Sequence, residues 1–116
     1  MIPAFNAMGQ DCQIFENPVK GTGPVLLATR IEDESLPTVL GYGHGDVIRG
    51  LEDQWEEGLN PWSTKKRGEK LYGRGTADNK GQHTVNMIAL ACILETRGRL
   101  QFNSKFMIEM LSLIHI

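Results

Sequence analysis

The sequence predicts an α/β fold. Two short stretches, "GPVLLATRIE" (23–32) and "PTVLGYGH" (37–44), have the length and apolar content of strands. A helical run, "QHTVNMIALACILETR" (82–97), and a further strand-like stretch, "LQFNSKFMIEML" (100–111), follow a long glycine-containing connection. Strand, strand, loop, helix, strand is the order of a sheet covered by helices.

Each element has a local reason. Residues 23–32 begin at a Gly/Pro turn, and their apolar content suits a buried strand. The polar connection "EDESLP" separates them from 37–44, a shorter strand that ends among glycines. Between Gly50 and Gly75 no periodicity holds, because Trp55, Pro61 and Trp62 lie among charges and glycines. A loop of that length in a small domain tends to serve function. In the helix, which starts between Lys80 and Gln82, Val85, Ile88, Ala89, Cys92 and Ile93 fall at helical spacing. Met87, Ala91 and Leu94 widen that stripe, which is expected to face the sheet and to bury the Cys92 thiol. Gly98 fits the position just past the helix, and Arg97 suits the negative end of its dipole.

Composition narrows the function. The chain has 116 residues, 41 % of them hydrophobic, which is enough for a core and too many for disorder. Twelve basic and fourteen acidic side chains give a net charge of −2, and "KKRGEK" (65–70) reads as a solvated loop, so nucleic acid is excluded as a partner. No stretch reaches the roughly 20 apolar residues that span a bilayer, and no signal peptide is visible, so no membrane partner is expected. Cys12 and Cys92 form no disulfide framework or zinc knuckle. A reducing, cytoplasmic setting follows from these features.

Chemistry concentrates in two glycine-rich stretches, "GYGHGDV" (41–47) and "YGRGTADNKGQH" (72–83). His44 and Asp46 stand two apart at a strand end, where alternate residues share a side. A ligating histidine commonly donates its other ring N–H to a carboxylate, and Asp46 can supply one; a surface turn is the plain alternative. Asp78 stands 34 residues beyond His44, directly before the helix. It is either an N-terminal helix cap or a carboxylate bridging two divalent ions about 3.5–4 Å apart. Spacing alone leaves both open. Neither stretch fits G-x-G-x-x-G or a phosphate-binding loop, and "DNKGQ" lacks the rest of a calcium loop, so nucleotide binding is disfavoured.

Taken in order, "VLGYGHGDVI", "GLNPW" and "LYGRGTADNKGQHTVNMIALA" resemble the N-terminal half of the catalytic domain of the co-catalytic zinc metallopeptidases. These comprise aminoacylase, acetylornithine deacetylase, succinyl-diaminopimelate desuccinylase, glutamate carboxypeptidase and the carnosinase-type dipeptidases. The resemblance runs over residues 24–110 or so and implies a three-layer αβα catalytic domain, present here as an incomplete piece. It makes 1–110 the partial catalytic domain and sets apart 111–116, "LSLIHI", as an artefactual tail, so that His115 is discounted. The amino end also looks shortened.

The resemblance further implies roles. His44 ligates one metal, Asp78 bridges both, and Asp46, the catalytic candidate, orients His44. The cofactors are two divalent ions, zinc with cobalt or manganese as alternatives. The peptide bond after the bridging aspartate, here Asp78–Asn79, is cis. The reaction is hydrolysis of an amide bond in an N-acyl amino acid or small peptide by a metal-activated water, with a glutamate as base. That glutamate and the remaining ligands are missing, so the fragment alone is expected to be inactive, and Glu109 is not assigned as the base. Full-length members often form homodimers through a small domain absent here. The competing reading is a non-catalytic α/β module that keeps the glycine turns and a helix-capping Asp78 for structure.

Other residues have simpler expectations. Trp55 and Trp62 pin the long loop, and Arg74 anchors it or touches a substrate carboxylate. His83 is a surface or packing histidine and not a ligand, and Lys80 is solvated or paired locally.

Overall fold

The computed structural model describes residues 1–111. Apart from Leu111, the tail set apart above lies outside the described residues, His115 with it. The elements in order are α1 (Ile2–Ala7), β1 (Asp11–Phe15), β2 (Val25–Arg30), β3 (Thr38–His44), β4 (Lys65–Arg67), β5 (Lys70–Tyr72), α2 (Lys80–Arg97) and β6 (Asn103–Glu109).

Four strands form a mixed sheet in the order β1-β2-β6-β3. β1 pairs antiparallel with β2, and β2 antiparallel with β6. β3 runs parallel to β6, from Thr38 opposite Asn103 to His44 opposite Glu109. A parallel pair needs a long crossover, and α2 supplies it. The unit β3-α2-β6 therefore brings the end of β3 and the start of α2 to the same sheet edge, where open α/β folds hold their ligands.

Side-chain alternation sends Ala28 of β2 and Phe106 and Ile108 of β6 to the covered face, all nearly solvent-free. Phe5 of α1 packs its ring 5.3 Å from that of Phe106. Met87 and Leu90 of α2, with Leu100, complete the core cluster. Both helices thus lie on one face. The described residues build two layers, a sheet and a helical cover, of the three that the resemblance implies.

Buried polar groups are pinned as well. Asn103 accepts from the N–H groups of Glu32 and Asp33 through Oδ1, and donates from Nδ2 to the carbonyls of Asp33 and Leu36. The connection between β2 and β3 is tied in this way to the start of β6.

Several expectations need correcting. The helix presents His83, Met87 and Leu90 inward, whereas Val85 and Ile88 are 66 % and 57 % exposed and Cys92 is exposed. Apolar residues surround α2 almost completely: of the predicted stripe Met87, Ile93 and Leu94 do pack on the core, whereas Val85, Ile88 and Cys92 face away from it. The long loop is not wholly irregular: β4 and β5 form a hairpin turning at Gly68, which sits at φ +58°. Their charged residues carry no apolar alternation that would announce strands. α1 and β1 precede the first predicted element, and Ile14 and Phe15 of β1 are half-exposed.

Two predictions follow from this frame. Asn103→Ala removes four buried hydrogen-bonding contacts and should lower unfolding free energy by about 2–3 kcal/mol in urea titration. Arg30 donating to Glu32 at 2.5 Å, helped by the Leu100 N–H, holds the Glu32 carboxyl below the usual range although burial opposes it. A carboxyl with a depressed folded pKa stabilises the fold above its unfolded value, and that contribution is lost as pH falls through the folded one. Stability should therefore decline below about pH 4.3, and Glu32→Gln should flatten that acid limb.

Candidate functional site

His44 closes β3, and its imidazole is almost buried. Its two ring nitrogens each meet oxygen. Nδ1 lies 3.1 Å from the main-chain carbonyl of Asp46 and 3.4 Å from an Asp46 carboxylate oxygen. Nε2 lies 3.2 Å from Asp78 Oδ1. The spacing of two thus brings Asp46 behind the ring as expected, but the nearer acceptor is the peptide carbonyl and not the side chain. The carbonyl makes the hydrogen bond and holds the proton on Nδ1.

With Nδ1–H donating to Asp46, neutral His44 turns a lone pair at Nε2 toward a carboxylate. Two lone pairs 3.2 Å apart repel unless positive charge stands between them. A proton satisfies this by forming an imidazolium–carboxylate pair, and a metal ion satisfies it by accepting both. Bonds of about 2.0–2.2 Å at tetrahedral angles put neighbouring N and O ligands roughly 3.3–3.5 Å apart. The observed 3.2 Å lies just inside that edge and is also a hydrogen-bond distance; imidazole and carboxylate are both donor types that a divalent cation accepts. Among the described residues no group of three or more His, Cys, Asp or Glu side chains converges as a metal cluster.

Asp78 does not cap α2. Asn79 holds the N-cap position and makes no side-chain bond to the helix N–H groups, while the Asp78 side chain is 70 % exposed and turned to His44. The entry to the helix bends at Gly75, φ +81°, where a Cβ would also lie 2.9 Å from Val47. The Lys80 N–H returns to the Gly75 carbonyl at 3.1 Å. The Asp78–Asn79 peptide bond is cis, as the resemblance implies.

Asn79 is the contributor that sequence reading missed. Its Oδ1 accepts the main-chain N–H of His44 at 2.9 Å and contacts His83 Nδ1 at 3.2 Å. Its Nδ2 donates to Gln82 Oε1. Gly43 makes room for this cluster, since a Cβ there would stand 2.5 Å from His83 Nδ1 and 2.8 Å from Asn79 Oδ1. A glycine before the histidine and a polar residue after the aspartate were the available signals. Of the two roles open to it, surface and packing, His83 takes packing, at 1 % exposure, and burial, with repulsion from His44, pushes its imidazole below the ordinary range.

The remaining candidates serve the loop. Trp55 Nε1 donates to the Gly50 carbonyl, and Trp62 Nε1 to Glu52. Arg74 donates to the same Gly50 carbonyl at 2.9 Å and lies 5.5 Å from the Trp55 ring centroid, so it anchors the loop. Lys80 is exposed. Glu109 accepts from the Tyr42 hydroxyl and the Leu111 N–H.

The site is thus an imidazole–carboxylate pair at the carboxyl edge of a mixed α/β sheet. Residues 40–110 match the model described as "Peptidase family M20/M25/M40", and the chain belongs to that family. Among its relatives, Beta-Ala-His dipeptidase of Mus musculus is 37 % identical over 87 residues, covering 74 % of this chain and 17 % of that protein. Succinyl-diaminopimelate desuccinylase of Novosphingobium aromaticivorans is 39 % identical over 82 residues, 69 % of this chain and 21 % of that protein. Human carnosine dipeptidase 1 superposes with a TM-score of 0.80 at 30 % identity, over 94 % of this chain and 24 % of that one. The metallo-carboxypeptidase Sso-CP2 of Sulfolobus solfataricus, at 23 % identity and TM-score 0.79 over 93 % of this chain and 23 % of that one, shares the fold. The chain spans about a fifth of the length of these curated relatives.

Gly43→Ala should lower stability by about 1–3 kcal/mol through overpacking against His83 and Asn79. Urea unfolding measures the loss, and the amide resonance of His44 should shift with it.

Proposed function

We propose that the protein is part of a metal-dependent hydrolase that cleaves amide bonds in small peptides or N-acyl amino acids, with His44 and Asp78 as metal ligands and Asp46 holding His44. The observation that carries this is the Asp78 carboxylate turned to His44 Nε2 at 3.2 Å and not to the helix N–H groups. A bound divalent cation supplies Lewis acidity toward an amide carbonyl and lowers the pKa of water. The chain's own residues orient and hold. Asp46 keeps the His44 proton on Nδ1, leaving Nε2 as a donor of electrons. Asp78 offers a largely exposed carboxylate that two ions can share, zinc being favoured by the imidazole–carboxylate set and cobalt or manganese also suiting it.

The named relatives support the substrate class: a Beta-Ala-His dipeptidase and a succinyl-diaminopimelate desuccinylase both act on amide bonds of small molecules. We infer a cytoplasmic setting; among the described residues no helix is long and apolar enough to cross a membrane. Full-length forms are proposed to dimerise and to supply the base and remaining ligands, leaving this chain alone inactive. Against a module that uses Asp78 only as a cap speaks the contact of its carboxylate with His44 Nε2.

Zinc titration of the 116-residue chain, followed by NMR of histidine ring protons, tests the reading. Shifts should centre on His44 and vanish in His44→Ala and Asp78→Ala. Asp46→Ala keeps the main-chain carbonyl that faces Nδ1 and should weaken binding less than either ligand substitution. Equal zinc response in all four proteins would refute the assignment.

A further inference from the structure

We propose that His83, acting through Asn79, is a positioning residue for His44, and that it does so as the neutral Nδ1–H tautomer. The inference rests on the metal-ligand reading of His44 but concerns a different group, on the first turns of α2.

The main-chain N–H of His44 can only donate, and it points at the Asn79 side chain at 2.9 Å. The atom it meets must therefore be the carbonyl oxygen, which fixes which way the amide lies. Nδ2 is then turned to Gln82 Oε1, an acceptor, so both ends of the amide agree. The same Oδ1 lies 3.2 Å from His83 Nδ1. An oxygen there accepts only if Nδ1 carries hydrogen. The other neutral tautomer would set a lone pair against Oδ1 and leave an N–H at Nε2, a buried atom that has no hydrogen-bond partner. His83 is 1 % exposed, and such burial disfavours a charged ring.

One oxygen thus ties together the helix, through His83, and the last residue of β3, through the His44 N–H. The absent Cβ of Gly43 lets these groups touch, since any side chain there would strike His83 Nδ1 and Asn79 Oδ1. Asn79 adjoins Asp78 in the chain, so the tie sets the position of the two facing groups relative to each other. His83 touches neither substrate nor metal; it restrains the amide that restrains the ligand.

The test uses the 116-residue chain. In the wild-type protein, nitrogen chemical shifts should report His83 protonated at Nδ1, and protonation at Nε2 would overturn the proposal without any variant. His83→Leu keeps an apolar filling but removes the donor. The His44 amide resonance should then move, its solvent exchange should quicken, and zinc affinity at His44 should fall about 10–100-fold. His83→Asn places an N–H near the original Nδ1 and should restore both. A His44 amide and zinc affinity unchanged in His83→Leu would refute the relay, as would a loss that His83→Asn fails to restore. Should zinc leave wild-type His44 unaffected, the metal reading fails instead, and the metal-free amide and tautomer measurements still judge the relay.

Discussion

The hydrogen bond from the His44 main-chain N–H to Asn79 Oδ1, 2.9 Å long, is the joint on which the geometry of the site depends. It links the last residue of β3 to the first turn of α2, segments 35 residues apart in sequence. Parallel pairing of β3 with β6 brings these segments to one edge, but an edge alone tolerates ångströms of drift. A fixed acceptor removes that freedom. Three neighbouring features suit it: the missing side chain at Gly43, the Nδ1 of His83, and the left-handed turn at Gly75.

The sheet shows how the same frame treats its two faces differently. Gly41, Ala28 and Phe106 stand in register under the helices, while the adjacent row, Leu27, Met107 and Tyr42, points to the opposite side. On that side Tyr42 is 53 % exposed and Leu40 63 %. Parallel strands are ordinarily covered on both faces, and their apolar sequence reflects it. The three-layer architecture implied by the resemblance needs a second cover there, and residues 1–111 provide one helical layer. The apolar back of α2, at Val85 and Ile88, is a second surface left in water.

Much of this was legible in the sequence, and what was not has physical causes. β2, β3, α2 and β6 were readable because each has a bounded apolar run, and the helix stop at Gly98 was confirmed by its φ of 73° and its N–H bond to Leu94. His44, Asp46 and Asp78 were readable because glycines isolate them from any core pattern. The inward face of α2 was legible only in part: Met87, Ile93 and Leu94 of the predicted stripe do pack inward, but that face begins with a histidine and a rival stripe through Val85 and Ile88 is equally apolar. No periodicity separates two such stripes; only contact with Phe106 and Ala28 does. Asn79 stayed hidden because its task is to accept a main-chain N–H, an interaction for which Gly43 and a polar residue after Asp78 were only weak signs.

The unequal exposure around His44 bears on which positive charge its geometry is built for. On the Nδ1 side Asp46 has a side chain only 5 % exposed, and there a hydrogen bond orients the ring firmly because little water competes. On the Nε2 side Asp78 is 70 % exposed. An imidazolium–carboxylate pair in that position would add about 0–1 kcal/mol, since solvent screens it. So small a gain is a weak reason for a buried Asn–His tie, an unsubstituted Gly43 and a left-handed Gly75. Under the proposed metal role, a shared cation would use the asymmetry better: its histidine ligand would be aimed from the buried side, and the open side at Asp78 would leave room for further ligands and water.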